Sequence, residues 1–343
     1  MVKRLRIGIV GAGFGAIAHL PALRNHPGFE VVAIASPSTA AEIAREANLP
    51  YAFTSCEEML AGCSLDVVTV ASPPFAHAGN VLAALAAGKH VLCEKPFALG
   101  VADAQAMLEA ATAAGTACGV AHEFRFISQI QALKELAANG HLGDLRNLEI
   151  TLLRSTLRRT ERRPRSWWFD ARRGGGLAGA VLSHLIDQAS WLGNYVPEST
   201  SGLRRTANAQ RDDDRGSFQS TVDDGAFALV DYGNGFVARL TADGTTAVDS
   251  YTCALHGEKR TAVASGPTLT ELTLYTVDAD QTDELTCKPS PYSAYETLGS
   301  NVPLLMELYD ELLKRIDGKA NSLPSFQEAV ATQKALAAVG YGT

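Results

Sequence analysis

The chain has 343 residues, of which 46% are hydrophobic and 20% charged, with a formal net charge of −7. That length favours two domains with sizeable cores, and the acidic balance argues against nucleic acid as a partner. No apolar run reaches membrane-spanning length, and Lys3-Arg4-Leu5-Arg6 passes directly into an apolar strand, so no membrane partner or export signal is expected and the cytoplasm is the expected compartment.

Leu5–Val10 reads as a strand, followed by a helix over Phe14–Asn25. A second strand, Glu30–Ala35, precedes a helix from about Thr39 to Ala47. Leu65–Ala71 is a continuous apolar run, the pattern of a strand covered on both faces. The Ala-rich stretch Ala76–Ala87 is helical and stops at Gly88. A short strand His90–Cys93, a helix Ala102–Ala114 and a strand Thr116–Ala121 complete the first third. Strand and helix alternating at this spacing predict βαβ units and a doubly wound parallel sheet.

The rhythm changes after about residue 122. A helix over Ser128–Ala138 and a strand over Leu145–Leu157 are followed by a basic loop, Arg158 to Gly176, and a helical stretch, Ala178–Leu192. Strand-like runs then come in sequence: Gly225–Tyr232, Gly235–Thr241, Ser250–His256 and Leu269–Val277. Arg211–Arg215 reads as a charged, solvated loop. Two helices, Val302–Ile316 and Ser325–Val339, close the pattern. Neighbouring strands predict a large, mainly antiparallel open sheet with helices on one face. The expected division is residues 1–122 and 123–343.

Gly11-Ala12-Gly13-Phe14-Gly15-Ala16 fits G-x-G-x-x-A between a strand and a helix. Gly11 permits the tight turn, Gly13 lets a pyrophosphate approach the backbone, and Ala16 keeps the helix close to the strand. The free N–H groups and positive helix end favour the anion. In this context the pattern predicts a dinucleotide-binding Rossmann domain, with Phe14 and Gly15 part of its loop. An NAD-binding strand ends in an acid at its tip. Here the second strand ends Ile34-Ala35-Ser36-Pro37-Ser38-Thr39, and Glu30 stands at its other end. With no carboxylate to repel a 2′-phosphate, and with Ser36, Ser38 and Thr39 able to donate to it, NADP(H) is favoured and NAD(H) stays open. The alternative is that these hydroxyls cap the following helix.

Further segments occur in order after Gly11–Ala16: His19-Leu20-Pro21-Ala22-Leu23, Ala71-Ser72-Pro73-Pro74 with His77, Glu94-Lys95-Pro96, then Gly174-Gly175-Gly176 before Ser183-His184-Leu185-Ile186-Asp187. Together they resemble the glucose–fructose oxidoreductase, inositol dehydrogenase and rhizopine-catabolism (Gfo/Idh/MocA) family, from residue 5 to about 193. The resemblance implies hydride transfer between a nicotinamide and a hydroxyl-bearing carbon of a sugar or cyclitol, with the chemistry at Lys95 and His184. It also implies a cis bond before Pro96. Ala180 stands where the family often has an aspartate, and Leu182 where it often has a glycine, which puts the usual three-residue relay in doubt.

Removing a hydroxyl proton needs a base, and histidine suits this because its unperturbed pKa of about 6.5 lies near working pH. His184 is therefore the expected acid/base and Lys95 the electrostatic clamp on the same oxygen. Asp187, three residues on and on the same helix face, is expected to orient the imidazole or bind a substrate hydroxyl. Ser72, Pro73, His77 and Glu94 are expected on the cofactor side. His122 and Arg125, and Trp168 in the arginine-rich loop, are expected to meet substrate. The family also contains a nucleotide-binding regulator without turnover, the yeast galactose repressor, and Rossmann reductases of non-sugar substrates; both remain alternatives. The eight histidines are dispersed and the six cysteines form no C-x-x-C pair, so neither a metal site nor a disulfide framework is expected. An exposed sheet face in the second domain predicts a homodimer or homotetramer.

Overall fold

The computed structural model describes residues 4–342. It falls into two compact units, one of residues up to Glu123 with Ser290–Val330, the other of Phe124–Pro289 with the residues from Ala331 onward.

The first unit is built on six strands, β1 (Leu5–Val10), β2 (Phe29–Ala35), β3 (Tyr51–Phe53), β4 (Val67–Val70), β5 (His90–Cys93) and β6 (Cys118–Val120). They pair in the order β3-β2-β1-β4-β5-β6, every pair parallel. The connecting helices are α1 (Leu20–Asn25), α2 (Ala40–Glu46), α3 (Cys56–Gly62), α4 (His77–Ala86) and α5 (Val101–Ala114). This is the doubly wound order, whose direction of growth reverses between β1 and β4. Because helices cover both faces, the central strands are apolar throughout: all four residues of β4 are buried. Loops leaving the carboxyl ends of β1, β4, β5 and β6 carry Gly11, Ser72, Lys95 and His122.

The second unit opens with α6 (Ser128–Ala138), β7 (Leu145–Leu153) and α7 (Ser183–Gly193). Nine strands follow: β8 (Ser199–Arg205), β9 (Gln210–Asp213), β10 (Gly216–Gln219), β11 (Gly225–Asp231), β12 (Val237–Asp243), β13 (Ser250–Gly257), β14 (Thr261–Gly266), β15 (Thr273–Val277) and β16 (Thr282–Leu285). Eight strands form one sheet in the order β16-β15-β14-β13-β7-β12-β11-β8, antiparallel except for β12 on β7. Alternation sorts its faces. Leu148, Ile150 and Leu152 of β7 are buried with Leu240 and Cys253 beside them. On the other face Leu229, Arg239, Glu149, Ala254, Val263 and Tyr275 stand side by side across five strand pairs.

Two helices complete the chain, α8 (Val302–Ile316) and α9 (Phe326–Ala338). α8 belongs to the first unit, which a single cut at residue 122 does not include. Its apolar face is the reason: Val302, Leu305, Met306, Leu308, Tyr309 and Leu312 are fully buried. Arg315 then donates to the carbonyls of Cys118 and Leu323, tying this segment to β6. The expected charged loop at Arg211–Arg215 is instead the β9–β10 hairpin. Arg211 is buried there, donating to the Leu157 carbonyl at 2.7 Å and to Asp224 at 3.2 Å. Charge alone hid this strand, because its partners lie distant in sequence. Strand β14 (Thr261–Gly266) is a further strand beyond those the sequence pattern marks.

Candidate functional site

The loop after β1 has the shape a pyrophosphate needs. Gly11 has φ +113°, and a Cβ there would stand 2.3 Å from the Ala71 carbonyl oxygen. A Cβ on Gly13 would meet nothing within 4 Å, so that backbone faces open space. The first bonds of the following turn come from Ala16 and Ile17 to the Gly13 carbonyl, leaving the N–H groups of Gly13 and Phe14 ahead of the bonded turn. Close packing onto the strand falls to Gly15 rather than to Ala16. A Cβ on Gly15 would lie 2.9 Å from Ile9 and 3.3 Å from Ala71, whereas Ala16 is only half-buried. The turn Gly15–His19 is a π-helical one before α1 begins, a distortion that recurs at functional sites. The residues present thus fit a dinucleotide.

At the tip of β2, Ser36 Oγ and Thr39 Oγ1 are 3.1 Å apart. Thr39 precedes α2 without a side-chain capping bond, and Ser38 is exposed. The hydroxyls are therefore not used as the helix cap.

His19 is held by two partners. Its Nε2 lies 2.9 Å from Glu94 Oε1 and its Nδ1 2.8 Å from the Tyr309 hydroxyl, which is 2.8 Å from Thr69 Oγ1. Phe14 meets the same imidazole edge-on at 5.6 Å. Glu94 Oε2 accepts the backbone N–H of Lys95 at 3.1 Å. Both Glu94 carboxylate oxygens are thus engaged in this network. Burial acts to raise its pKa, but the bond and charge of His19, then Lys95 and His77, carry it below the ordinary carboxylate value. Lys95 is half-buried and its bond to Pro96 is cis.

His77 is fully buried and serves as a bolt between loops. Nε2 contacts the Ser72 carbonyl at 2.7 Å, and Nδ1 the carbonyls of Pro96 and Phe97 at 3.1 and 3.2 Å. Burial lowers its pKa, and the carbonyls only partly oppose this. The Ser72 hydroxyl accepts from Asn80 at 3.0 Å. Pro73 remains half-buried beside it. His122, at the end of β6, is buried.

In the second unit His184 lies near the start of α7, which follows a second π-helical turn, Ala178–Leu182. Asp223, an unforeseen residue, anchors that turn: its Oδ2 accepts the Ala178 N–H at 2.7 Å, and its carbonyl accepts that of Leu177 at 3.2 Å. His184 lies flat on Phe124, ring centroids 3.9 Å apart at 9°. Asp187 and Arg125 are joined to each other. Two charges this deeply buried require pairing. Trp168 is half-buried under Arg163, whose guanidinium carbon is 4.9 Å from the ring centre. The glycine run follows from this loop: a Cβ on Gly175 would sit 2.0 Å from the Trp168 carbonyl oxygen. Among the described residues no cluster of three or more metal-ligating side chains occurs, and no helix is long and apolar enough to cross a membrane.

Residues 5–122 match the model of an oxidoreductase family with an NAD-binding Rossmann fold, and residues 130–263 match the GFO/IDH/MocA C-terminal domain. The chain belongs to the Gfo/Idh/MocA oxidoreductase family. Within it, trans-1,2-dihydrobenzene-1,2-diol dehydrogenase of Sus scrofa is 31% identical over 77% of this chain and 75% of that protein. An uncharacterized oxidoreductase of Synechocystis is 35% identical over 55% of this chain, and the match spans about half of that relative, 51%. Levoglucosan dehydrogenase of Pseudarthrobacter phenanthrenivorans is 27% identical over 70% of this chain and 68% of that protein. A solved structure of levoglucosan dehydrogenase with NADH superposes with a TM-score of 0.85 at 23% identity, covering 99% of this chain and 97% of that one. At that identity the superposition speaks for the fold. The parallel six-stranded sheet and the large open sheet are the family's architecture.

Proposed function

We propose that this oxidoreductase is a dehydrogenase or ketoreductase that interconverts a secondary alcohol and a ketone on a sugar or cyclitol, with NADP(H) as its preferred cofactor. The observation that carries the reading is the open Gly13 backbone after β1, in the same doubly wound sheet that presents Lys95 after β5. Relatives named for levoglucosan and for glucose 6-phosphate support the substrate class.

The nicotinamide, when bound, takes or returns the hydride. Lys95 donates a hydrogen bond to the reacting oxygen and offsets its developing charge. His184 takes or returns the hydroxyl proton, its ring held in orientation by Phe124. Arg125 and Asp187 fix α7 against the segment that carries Phe124. In this reading Trp168 meets the substrate. The hydroxyls of Ser36, Ser38 and Thr39, with no carboxylate at the tip of β2, support preference for the 2′-phosphate.

In this reading residues 1–122 bind the dinucleotide, and 123–343 provide substrate binding and assembly. The open face carrying Leu229, Arg239 and Tyr275 pairs copies into a homodimer or homotetramer. Six free thiols fit work in the reducing cytoplasm.

The test is titration of the purified protein with NADPH and with NADH, followed by nicotinamide fluorescence, and then a screen of sugars and cyclitols with Lys95→Ala as control. Tighter NADPH binding and Lys95-dependent turnover are expected. Tighter NADH binding overturns the cofactor choice alone. Binding of neither overturns the dehydrogenase reading.

A further inference from the structure

We propose that His19 is a positioning residue for Lys95: acting through Glu94, it fixes the Lys95 backbone and a negative charge beside it, while Tyr309 and Thr69 lock the imidazole that does so. The proposal rests on the reading of Lys95 as the group that meets the reacting oxygen.

The hydrogen-bond chemistry is complete along the chain of groups. An ionised Glu94 can only accept, so His19 Nε2 carries the proton of the 2.9 Å contact, and Lys95 N–H supplies the other oxygen. With its second nitrogen unprotonated, the ring accepts there from the Tyr309 hydroxyl at 2.8 Å. The phenolic oxygen in turn accepts from the Thr69 hydroxyl at 2.8 Å. Every donor in the row is used once. Burial pushes the Tyr309 phenol well up, so it stays a neutral donor.

The four groups come from four parts of the chain: the turn before α1, the third residue of β4, the end of β5, and α8. His19, Thr69 and Tyr309 are completely buried and Glu94 nearly so. Packing alone does not call for them. Apolar side chains of the same volume serve a core as well as a buried ionic group does, or better. What the polar row supplies is direction. Glu94 is held at both oxygens, and the second is fixed to the backbone of the residue that the chemistry needs. Two of the sequence segments that carry the family resemblance, His19-Leu20-Pro21 and Glu94-Lys95-Pro96, meet in this contact.

The experiment reads Lys95 directly and needs no turnover. Lysines of the intact protein are dimethylated with ¹³C-formaldehyde and a borane reductant, and the Lys95 signal is assigned by its loss in Lys95→Arg. Glu94→Gln, which keeps the shape and removes the charge, is expected to shift the Lys95 signal while the other lysine signals stay in place. His19→Leu is expected to shift it as well. His19→Gln is expected to restore it, because a carboxamide can donate to Glu94 and accept from Tyr309. An unmoved Lys95 signal in Glu94→Gln, or identical spectra for His19→Leu and His19→Gln, overturns the proposal. If His19→Leu does not fold, Tyr309→Phe replaces it. That variant is expected to move both the His19 ring ¹⁵N signals and the Lys95 signal, and movement of neither overturns the proposal. Failure of the dehydrogenase reading would appear separately, as absence of nicotinamide binding in the unaltered protein.

Discussion

Arg125 and Asp187 meet through two parallel hydrogen bonds, Nε to Oδ2 at 2.7 Å and Nη2 to Oδ1 at 2.6 Å, with side chains 2% and 1% exposed. Removing one partner leaves the other charge buried, a loss of about 3–5 kcal/mol in comparable pairs. Asp187→Asn and Arg125→Met are each expected to lower the free energy of unfolding by that order, read from urea denaturation. The double variant Arg125→Met/Asp187→Leu is expected to lose less than the two single losses together. Equal, additive losses would show that the two side chains are not coupled.

Gly11 and Gly13 make a second, discriminating pair. Gly11→Ala forces a Cβ to within 2.3 Å of a backbone oxygen at φ +113° and is expected to destabilise the fold. Gly13→Ala meets open space, so the melting temperature should hold while nicotinamide-nucleotide affinity falls about tenfold or more. Thermal melts beside fluorescence titrations check both. Loss of stability in Gly13→Ala, with affinity intact, would remove the loop from the cofactor site.

The contrast between Gly13 and Tyr309 shows what the sequence reveals of this site. The glycine loop is local: its residues, the strand before it and the helix after it lie within a dozen positions, and strand β1 begins and ends where its apolar pattern does. The sheet classes were legible for the same reason, through periodicity. Tyr309 and Thr69 are 240 positions apart, and Arg125 and Asp187 are 62 apart. No periodicity relates such partners. Tyr309 stands unremarked within the expected helix Val302–Ile316, and two charged residues fit simple local roles until their distant partners are in view: Asp187 as a helix-face neighbour of His184, and Arg211 as solvated charge. Gly15 stands in the motif with no packing role assigned to it, and its close approach to Ile9 and Ala71 shows only in the folded turn.

A carboxylate at the tip of β2 is the device by which a Rossmann domain selects the unphosphorylated ribose. Ser36→Asp is therefore expected to weaken NADPH about tenfold or more through like-charge repulsion, with NADH weakened less or strengthened. The ratio of the two dissociation constants is the measurement. An unchanged ratio would mean that the 2′ position lies elsewhere.

Cysteine reactivity gives a chemical map of the cores. Burial pushes Cys56 and Cys253 up to about 12, and raises Cys93 well above the ordinary thiol value, with Glu94 beside it. Thiolates are the reactive form. At pH 8 a thiol reagent is expected to react first at Cys63 and Cys287, the two half-exposed positions, and with all six only after denaturation. Rapid labelling of Cys253 in the native protein would contradict the burial of the open sheet's inner face.

His184 and Lys95 stand in different units, and in the proposed mechanism one moves the proton while the other offsets charge on the same oxygen, so their variants should separate in kind. With a sugar or cyclitol found by the screen, His184→Ala is expected to lower kcat by about 10²–10⁴, the usual contribution of general acid–base catalysis. Nicotinamide affinity and the melting temperature should remain. Phe124→Leu removes the ring stacked on His184 at 3.9 Å without touching the imidazole. It is expected to lower kcat less, and to move the His184 ring proton signals downfield as the ring current is lost. Lys95→Ala is expected to abolish turnover with the fold intact, because charge on the reacting oxygen would then develop without its donor. Full activity in His184→Ala or Lys95→Ala would take that residue out of the mechanism, while leaving the dinucleotide site, which rests on Gly11, Gly13 and Gly15, as it stands.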